Sequence, residues 1–165
     1  MPYHIMLLLF LLSPLSPTGL LRHDRSEQGF DRAAFYSIIS SGKLKDINAE
    51  LSTVRVSDIK ERSAYEGVLL MRKAGLLKIP AEKLHYFKLG YIKLEGAIKG
   101  NTQNAEYRFL RLTIQENAPH IVKYYHQIDE DKAIVIKEYK NLLPDVRDAV
   151  KEYSKTSKVL TPQDL

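Results

Sequence analysis

The chain contains no cysteine and no tryptophan. Without cysteine there is no disulfide framework, no thiolate metal site, no cysteine nucleophile and no residue to carry an N-terminal lipid. Neither a P-loop nor Gly-x-Gly-x-x-Gly occurs, and Gly-x-Ser-x-Gly and His-Glu-x-x-His are absent too. These gaps remove the common phosphate cradles, the serine-hydrolase elbow and the paired-histidine zinc helix. No cofactor and no catalytic residue is therefore assigned. Of the five histidines, His126 has two acids at helical spacing, Asp129 and Glu130. One imidazole and two carboxylates fall short of the three or four ligands that zinc takes, so an acidic first turn is the plainer reading. The segment IDEDK also lacks the glycine and the twelfth-position glutamate of an EF-hand.

Charge of one sign is not concentrated anywhere. The formal net charge is +5, but no run of four Lys/Arg exists and acids are interspersed throughout. Lys78, Lys83, Lys88 and Lys93 recur every five residues. Five residues rotate a helix by about 140°, so these lysines wind around the axis and form no stripe. No nucleic-acid partner is expected from such a surface.

Long apolar runs are also missing, with one short exception. Residues 5–12 read IMLLLFLL, and no Lys, Arg, Asp or Glu precedes Arg22. The run is too short to span a bilayer, which needs about 20 apolar residues, and matches the core of a signal peptide. Thr18, Gly19 and Leu20 offer a small-residue cleavage zone. Export to a periplasmic or secreted location is expected, with membrane contact only during passage. The basic residue that usually opens such a segment is absent, His4 standing alone.

What remains is helical. Asp31 caps a first helix carrying Ala34, Phe35, Ile38 and Ile39, and Gly42 ends it. Leu44, Ile47 and Leu51 lie on one face of a second. Thr53 to Val56 alternate like a strand, but too briefly to pair. Ser57 is expected to cap a third helix through Tyr65, Val68, Leu69 and Met71, which Gly75 stops. Gly67 lies in its middle, where glycine costs about 1 kcal/mol against alanine, so a close neighbour is expected there. Pro80 suits the first turn of a fourth helix. Leu84, Phe87, Tyr91, Leu94 and Ile98 follow it within an arc of about 80°, with Gly90 at the edge of that seam.

Asn104 to Pro119 reads NAEYRFLRLTIQENAP. Asn104 is a natural N-cap, and Pro119 sits where a helix has already stopped. Ala105, Phe109 and Leu112 fall on one side; Tyr107, Leu110 and Ile114 fall nearly opposite. A helix with two apolar faces touches neighbours on both, so this one is expected at the centre of the fold. Beyond it, Ile121 to Tyr125 suggest a short helix. Asp129 is expected to cap the next, Pro144 to break it, and Asp145 to Tyr153 to form the last.

The expected architecture is all-α, with seven or eight amphipathic helices in antiparallel hairpins, as a bundle or a short irregular solenoid. The expected organisation is a signal peptide over 1–19, a flexible lead-in over 20–29, one helical domain over 30–154 and a frayed tail over 155–165. The segments AYEGVLLMRKAG, LGYIKLEGAI, AEYRFLRLTIQENAP and IDEDKAI, in this order between Tyr65 and Lys132, resemble a family of small, exported, all-helical bacterial proteins. The helical hairpins have a faint tetratricopeptide character, without the tryptophan or the 34-residue period of that repeat. The resemblance implies a fold and an exported address, and no site.

Two functional readings stand. Arg108, Arg111 and Gln115 form a polar stripe on the central helix. Two guanidinium groups one turn apart can hold a carboxylate or phosphate, giving a small-anion site or an enzyme. They can equally pair with Glu66, Glu95 or Glu106 and fix helix register. The absence of catalytic motifs favours a non-enzymatic role, binding a protein or peptide in a helical groove, or a structural one. Tyr65, Tyr86, Tyr91, Tyr107, Tyr124 and Tyr125 can line such a groove or fill the core.

Overall fold

The computed structural model describes residues 30–165, so the expected signal peptide and lead-in lie outside the described residues. Among the described residues all regular structure is helical, in seven α-helices and three short 3-10 turns, with no strand. None of these helices is long and apolar enough to cross a membrane.

Helix α1 (Arg32–Ser41) starts at Asp31, whose side chain accepts from the Ala34 N–H at 2.8 Å. It ends at Gly42, in the left-handed conformation at φ 71° that glycine adopts without a Cβ penalty. Helix α2 (Leu44–Val56) absorbs the segment that alternates like a strand. Val54 is fully buried and continues the Ile47–Leu51 face by one more step, so the helical period prevails. Ser57 consequently closes α2 rather than opening the next helix; its hydroxyl donates to the Val54 carbonyl at 2.7 Å. Helix α3 (Arg62–Leu76) begins five residues later than its expected cap and runs one residue past Gly75.

Helix α4 (Pro80–Gly100) has Pro80 in its first turn and returns antiparallel to α3. The direction follows from the contacts: Ser63 donates to the Lys93 carbonyl, Glu66 pairs with Lys93, and Lys73 lies over the Tyr86 ring. The two backbones touch at the expected glycines. A Cβ on Gly90 would lie 2.4 Å from the Gly67 carbonyl oxygen and 2.6 Å from Met71 Cγ, and one on Gly67 would lie 2.8 Å from the Leu94 nitrogen. All three distances are shorter than a Cβ contact allows, so this crossing requires glycine on each helix. The seam of α4 is buried only beyond that crossing, at Leu94 and Ile98. No residue from 80 to 89 is buried, and Leu84 is 51% exposed.

Helix α5 (Ala105–Asn117) is the centre. Asn104 caps it, accepting from the Tyr107 N–H at 3.1 Å. Ten of its 13 residues are buried, which is too many for a surface helix. Phe109 meets the rings of Tyr36 on α1 and Tyr153 on the last helix, while Leu110 and Leu112 are fully enclosed. After a 3-10 turn at His120–Val122, α6 (Ile128–Glu138) packs along α5. Asp129 does not cap it: the helix starts at Ile128, and Asp129, Glu130 and Asp131 form its first turn. There they face the positive end of the helix dipole.

Helix α7 (Pro144–Ser154) takes Pro144 as its first residue, so this proline opens one helix as well as following another. Residues 155–165 do not fray. Leu160 is fully buried, and Glu116 of α5 accepts from Ser157 Oγ at 2.6 Å and from the Lys158 N–H at 2.6 Å. The segment closes in a capped 3-10 turn at Pro162–Asp164. Polar composition suggested a loose end; the half-buried Glu116 carboxylate of α5 and the leucine socket hold it instead.

Candidate functional site

The polar stripe of α5 meets α4 on one side and α6 on the other. Arg111 is 4% exposed and Arg108 5% exposed, so their charges need partners. The chain supplies them. Arg111 grips Asp131 with two parallel bonds, Nε to Oδ2 and Nη2 to Oδ1, both at 2.7 Å, and its Nη1 donates to Glu95 Oε2 at 3.0 Å. Arg108 donates from Nε to the Thr102 carbonyl at 2.8 Å and from Nη1 to Asp131 Oδ1 at 3.1 Å. Its Nη2 faces Glu130 at 3.1 Å. Tyr124 OH donates to the other oxygen of Glu95 at 2.5 Å.

The two guanidinium groups do converge on one carboxylate, but it is the protein's own. Asp131 has no solvent exposure. Burial pushes its carboxyl upward while Arg111 and Arg108 pull it back, and three guanidinium hydrogen bonds satisfy the ionised form. Burial likewise opposes the charge on Arg111, yet its bonds to Asp131 and the nearby Glu95 carry its pKa above the ordinary arginine value. Every nitrogen of both guanidiniums has a partner, in the fork geometry that fixes register between helices. Of the three acids expected as alternatives, only Glu95 takes this part. Glu66 instead joins Arg55 of α2 to Lys93 of α4, at 2.8 and 2.9 Å. Gln115 stands apart from this network, donating to Gln127 Oε1 at 2.8 Å and leaving its own buried Oε1 without a partner among the described residues.

Glu106 faces the opposite side of α5. It accepts hydrogen bonds from Tyr36 at 3.0 Å and from Tyr65, whose hydroxyl also accepts from Arg32 Nε at 3.0 Å. Arg32 in turn pairs with Glu61 at 3.1 Å. Burial raises the Glu106 carboxyl above the usual range, against the two phenolic hydrogen bonds, and raises both tyrosines as well. The Tyr65 ring stacks on Phe35 with centroids 4.2 Å apart. Tyr65 and Tyr107 are therefore core residues; Tyr124 is too, and the remaining tyrosines of the expected groove range from half-buried to exposed.

Open space lies elsewhere, in two clefts. A larger one of about 640 Å³ runs between α1, α5 and α7 over a floor of Tyr36, Phe109 and Tyr153, with Asp145, Asp148 and Glu152 along α7. A smaller one of about 390 Å³ lies where α3 turns into α4, beside the segment after α5. Its walls include Met71, Leu84, Phe87, Ile114, Ile121 and Val122, and its only charged residues are Arg72 and Lys83.

Arg72 and Asn117 line both clefts and so form the wall between them. Arg72 is half-buried, its Nε is enclosed, and that nitrogen has no partner among the described residues. No described carboxylate lies within ion-pair distance of it. Burial lowers its pKa below the ordinary arginine value, with Tyr153 only partly offsetting the effect. The sequence reading passed over Arg72. Its signal was register: it stands three and seven residues after Leu69 and Tyr65, both fully buried, so a cation falls in a core-facing row.

No family model, no curated protein and no solved structure matches this chain.

Proposed function

We propose that the protein is an exported, non-enzymatic helical domain that binds a peptide segment in the apolar cleft between the α3–α4 turn and the segment following α5. One observation carries the reading: the cleft is walled by apolar side chains, among them Leu84, Phe87 and Ile121, and two of these, Leu84 and Ile121, are exposed. Ile121, 88% exposed, borders the same cleft from the other side. A concave apolar site with a few polar groups at its wall is how small ligands and chain ends are held, and contiguous exposed apolar surface favours a partner. The short apolar run over 5–12 supports export. Arg108 and Arg111 serve as structure in this reading, because their own acids occupy them.

Selection from a random peptide library displayed with free carboxyl termini, against the full-length protein, tests the proposal. Selected peptides should bind wild type and lose binding to Leu84→Asp and to Ile121→Asp, two changes at exposed positions that leave the core untouched. Recovery of no binders, or binders indifferent to both substitutions, would refute a groove at this place.

A further inference from the structure

The walls of the cleft explain attraction for apolar groups, but they do not explain a half-buried cation. Arg32, Arg55, Arg108 and Arg111 each have a carboxylate at 3.1 Å or less. Of the described cationic side chains, only Arg72 has a buried nitrogen with no partner. Only the Nε of Arg72 is enclosed, and holding that nitrogen out of water without a partner is unfavourable. An acid brought by a ligand would remove that penalty at Arg72.

Charge decides the side of approach. The larger cleft carries Asp145, Asp148 and Glu152, which repel an anion. Among the described residues the smaller cleft has no acid in its lining, and Lys83 is its second cation. An anion with an apolar body therefore fits the smaller cleft, with its acid at Arg72 and its body against Leu84, Phe87, Ile121 and Val122.

Arg72 and Asn117 stand together at the boundary of the two clefts. A chain terminus with apolar final residues brings an acid, an apolar body and a backbone N–H close to that acid on one short segment. Asn117 uses its amide nitrogen on the Thr113 carbonyl at 2.9 Å, which turns its oxygen outward as an acceptor for a ligand N–H, a group that a fatty acid lacks.

We infer that the smaller cleft receives the carboxyl terminus of a peptide chain with apolar final residues, its terminal carboxylate held by the Arg72 guanidinium with Lys83 as the second cation. The inference rests on the reading of this cleft as a peptide groove and names what that groove recognises.

The test takes the peptides selected above and measures their binding to the full-length protein by fluorescence anisotropy, each in two forms, with a free carboxyl terminus and as the C-terminal amide. The amide should bind about ten- to a hundredfold more weakly, as expected for loss of a charge-assisted pair. Arg72→Gln should weaken the free acid by a similar factor and leave the amide unchanged, so that the two losses do not add. If acid and amide bind alike while Leu84→Asp still abolishes binding, the carboxylate inference is overturned and the groove stands. If binding ignores Leu84→Asp as well, both fall. The amide comparison uses unaltered protein, so it decides the question even if Arg72→Gln fails to fold.

Discussion

Arg111 on α5 and Arg72 on α3 both project from helices whose neighbouring positions are buried, but the molecule surrounds them differently. Around Arg111, Asp131, Glu95 and Tyr124 form a connected set that ties α4, the segment before α6 and α6 itself to the central helix. Arg72 has apolar walls and one asparagine on the side of the smaller cleft, and it forms no ion pair with any described carboxylate, those of the larger cleft included. A charge enclosed with partners holds elements in register; a charge enclosed without them is a vacancy in the electrostatics of the fold. The same residue type thus marks structure in one place and a candidate site in the other, and only the partners distinguish the two.

The sharpest way to break this contrast is on the α5 side. Arg111→Ala would leave Asp131 to Arg108 alone and Glu95 to Tyr124. Stripping one partner from a buried pair costs about 3–5 kcal/mol. For a domain of this size that lowers the melting temperature by on the order of 10 °C. Thermal unfolding followed by circular dichroism measures it, and a shift of less than about 2 °C would show that water, not Asp131, satisfies Arg111.

A smaller effect is expected at the end of the chain. Burial pushes the Glu116 carboxyl up, but the Ser157 and Tyr153 hydroxyls and the Lys158 N–H outweigh it, so its folded pKa lies below the ordinary glutamate value. A depressed folded pKa contributes stability that is complete above the unfolded value and disappears as pH falls through the folded one. Lowering the pH through the ordinary glutamate range and below it should loosen residues 155–165 before α5 opens. Protection of the Lys158 amide against hydrogen exchange, compared with amides inside α5, reports this. In Glu116→Gln the acid-dependent step should vanish.

Much of the fold was legible because it depends on period and punctuation. Asn104, Pro80, Asp31 and Gly42 have local conformational reasons to start or stop a helix, and those reasons operate wherever the helix packs. Gly67 and Gly90 pointed to a close crossing because glycine inside a helix costs stability and Gly90 lies at the edge of the α4 seam, whereas Gly96, off that crossing, has nothing within 4 Å of a Cβ. The end of α2 was not legible, since Thr53 to Val56 fit either period and burial of Val54 decided between them. The tail misled for a related reason: one leucine, one half-buried glutamate and a hydroxyl fix it, and these contacts are long-range. The stripe of Arg108 and Arg111 was visible, but not its acid. Asp131 sat unremarked within an acidic first turn, though Asp131 and Val135, four apart, are the two buried residues of α6. Arg72 shows the converse. Its place in a core-facing row was readable, whereas the lack of any partner is a property of the assembled structure alone.

The central claim is that Arg72 has no structural work in the free protein. Arg72→Met keeps the apolar stem and removes the unpartnered charge. Replacing a half-buried, unpaired arginine with an apolar side chain of similar length is neutral or stabilising, within about 1 kcal/mol here. Thermal unfolding of full-length Arg72→Met beside wild type is the direct measurement. The melting temperature should stay the same or rise by a few degrees. A fall comparable to that of Arg111→Ala would contradict the account, because it would show that Arg72, like Arg111, is held by the protein itself.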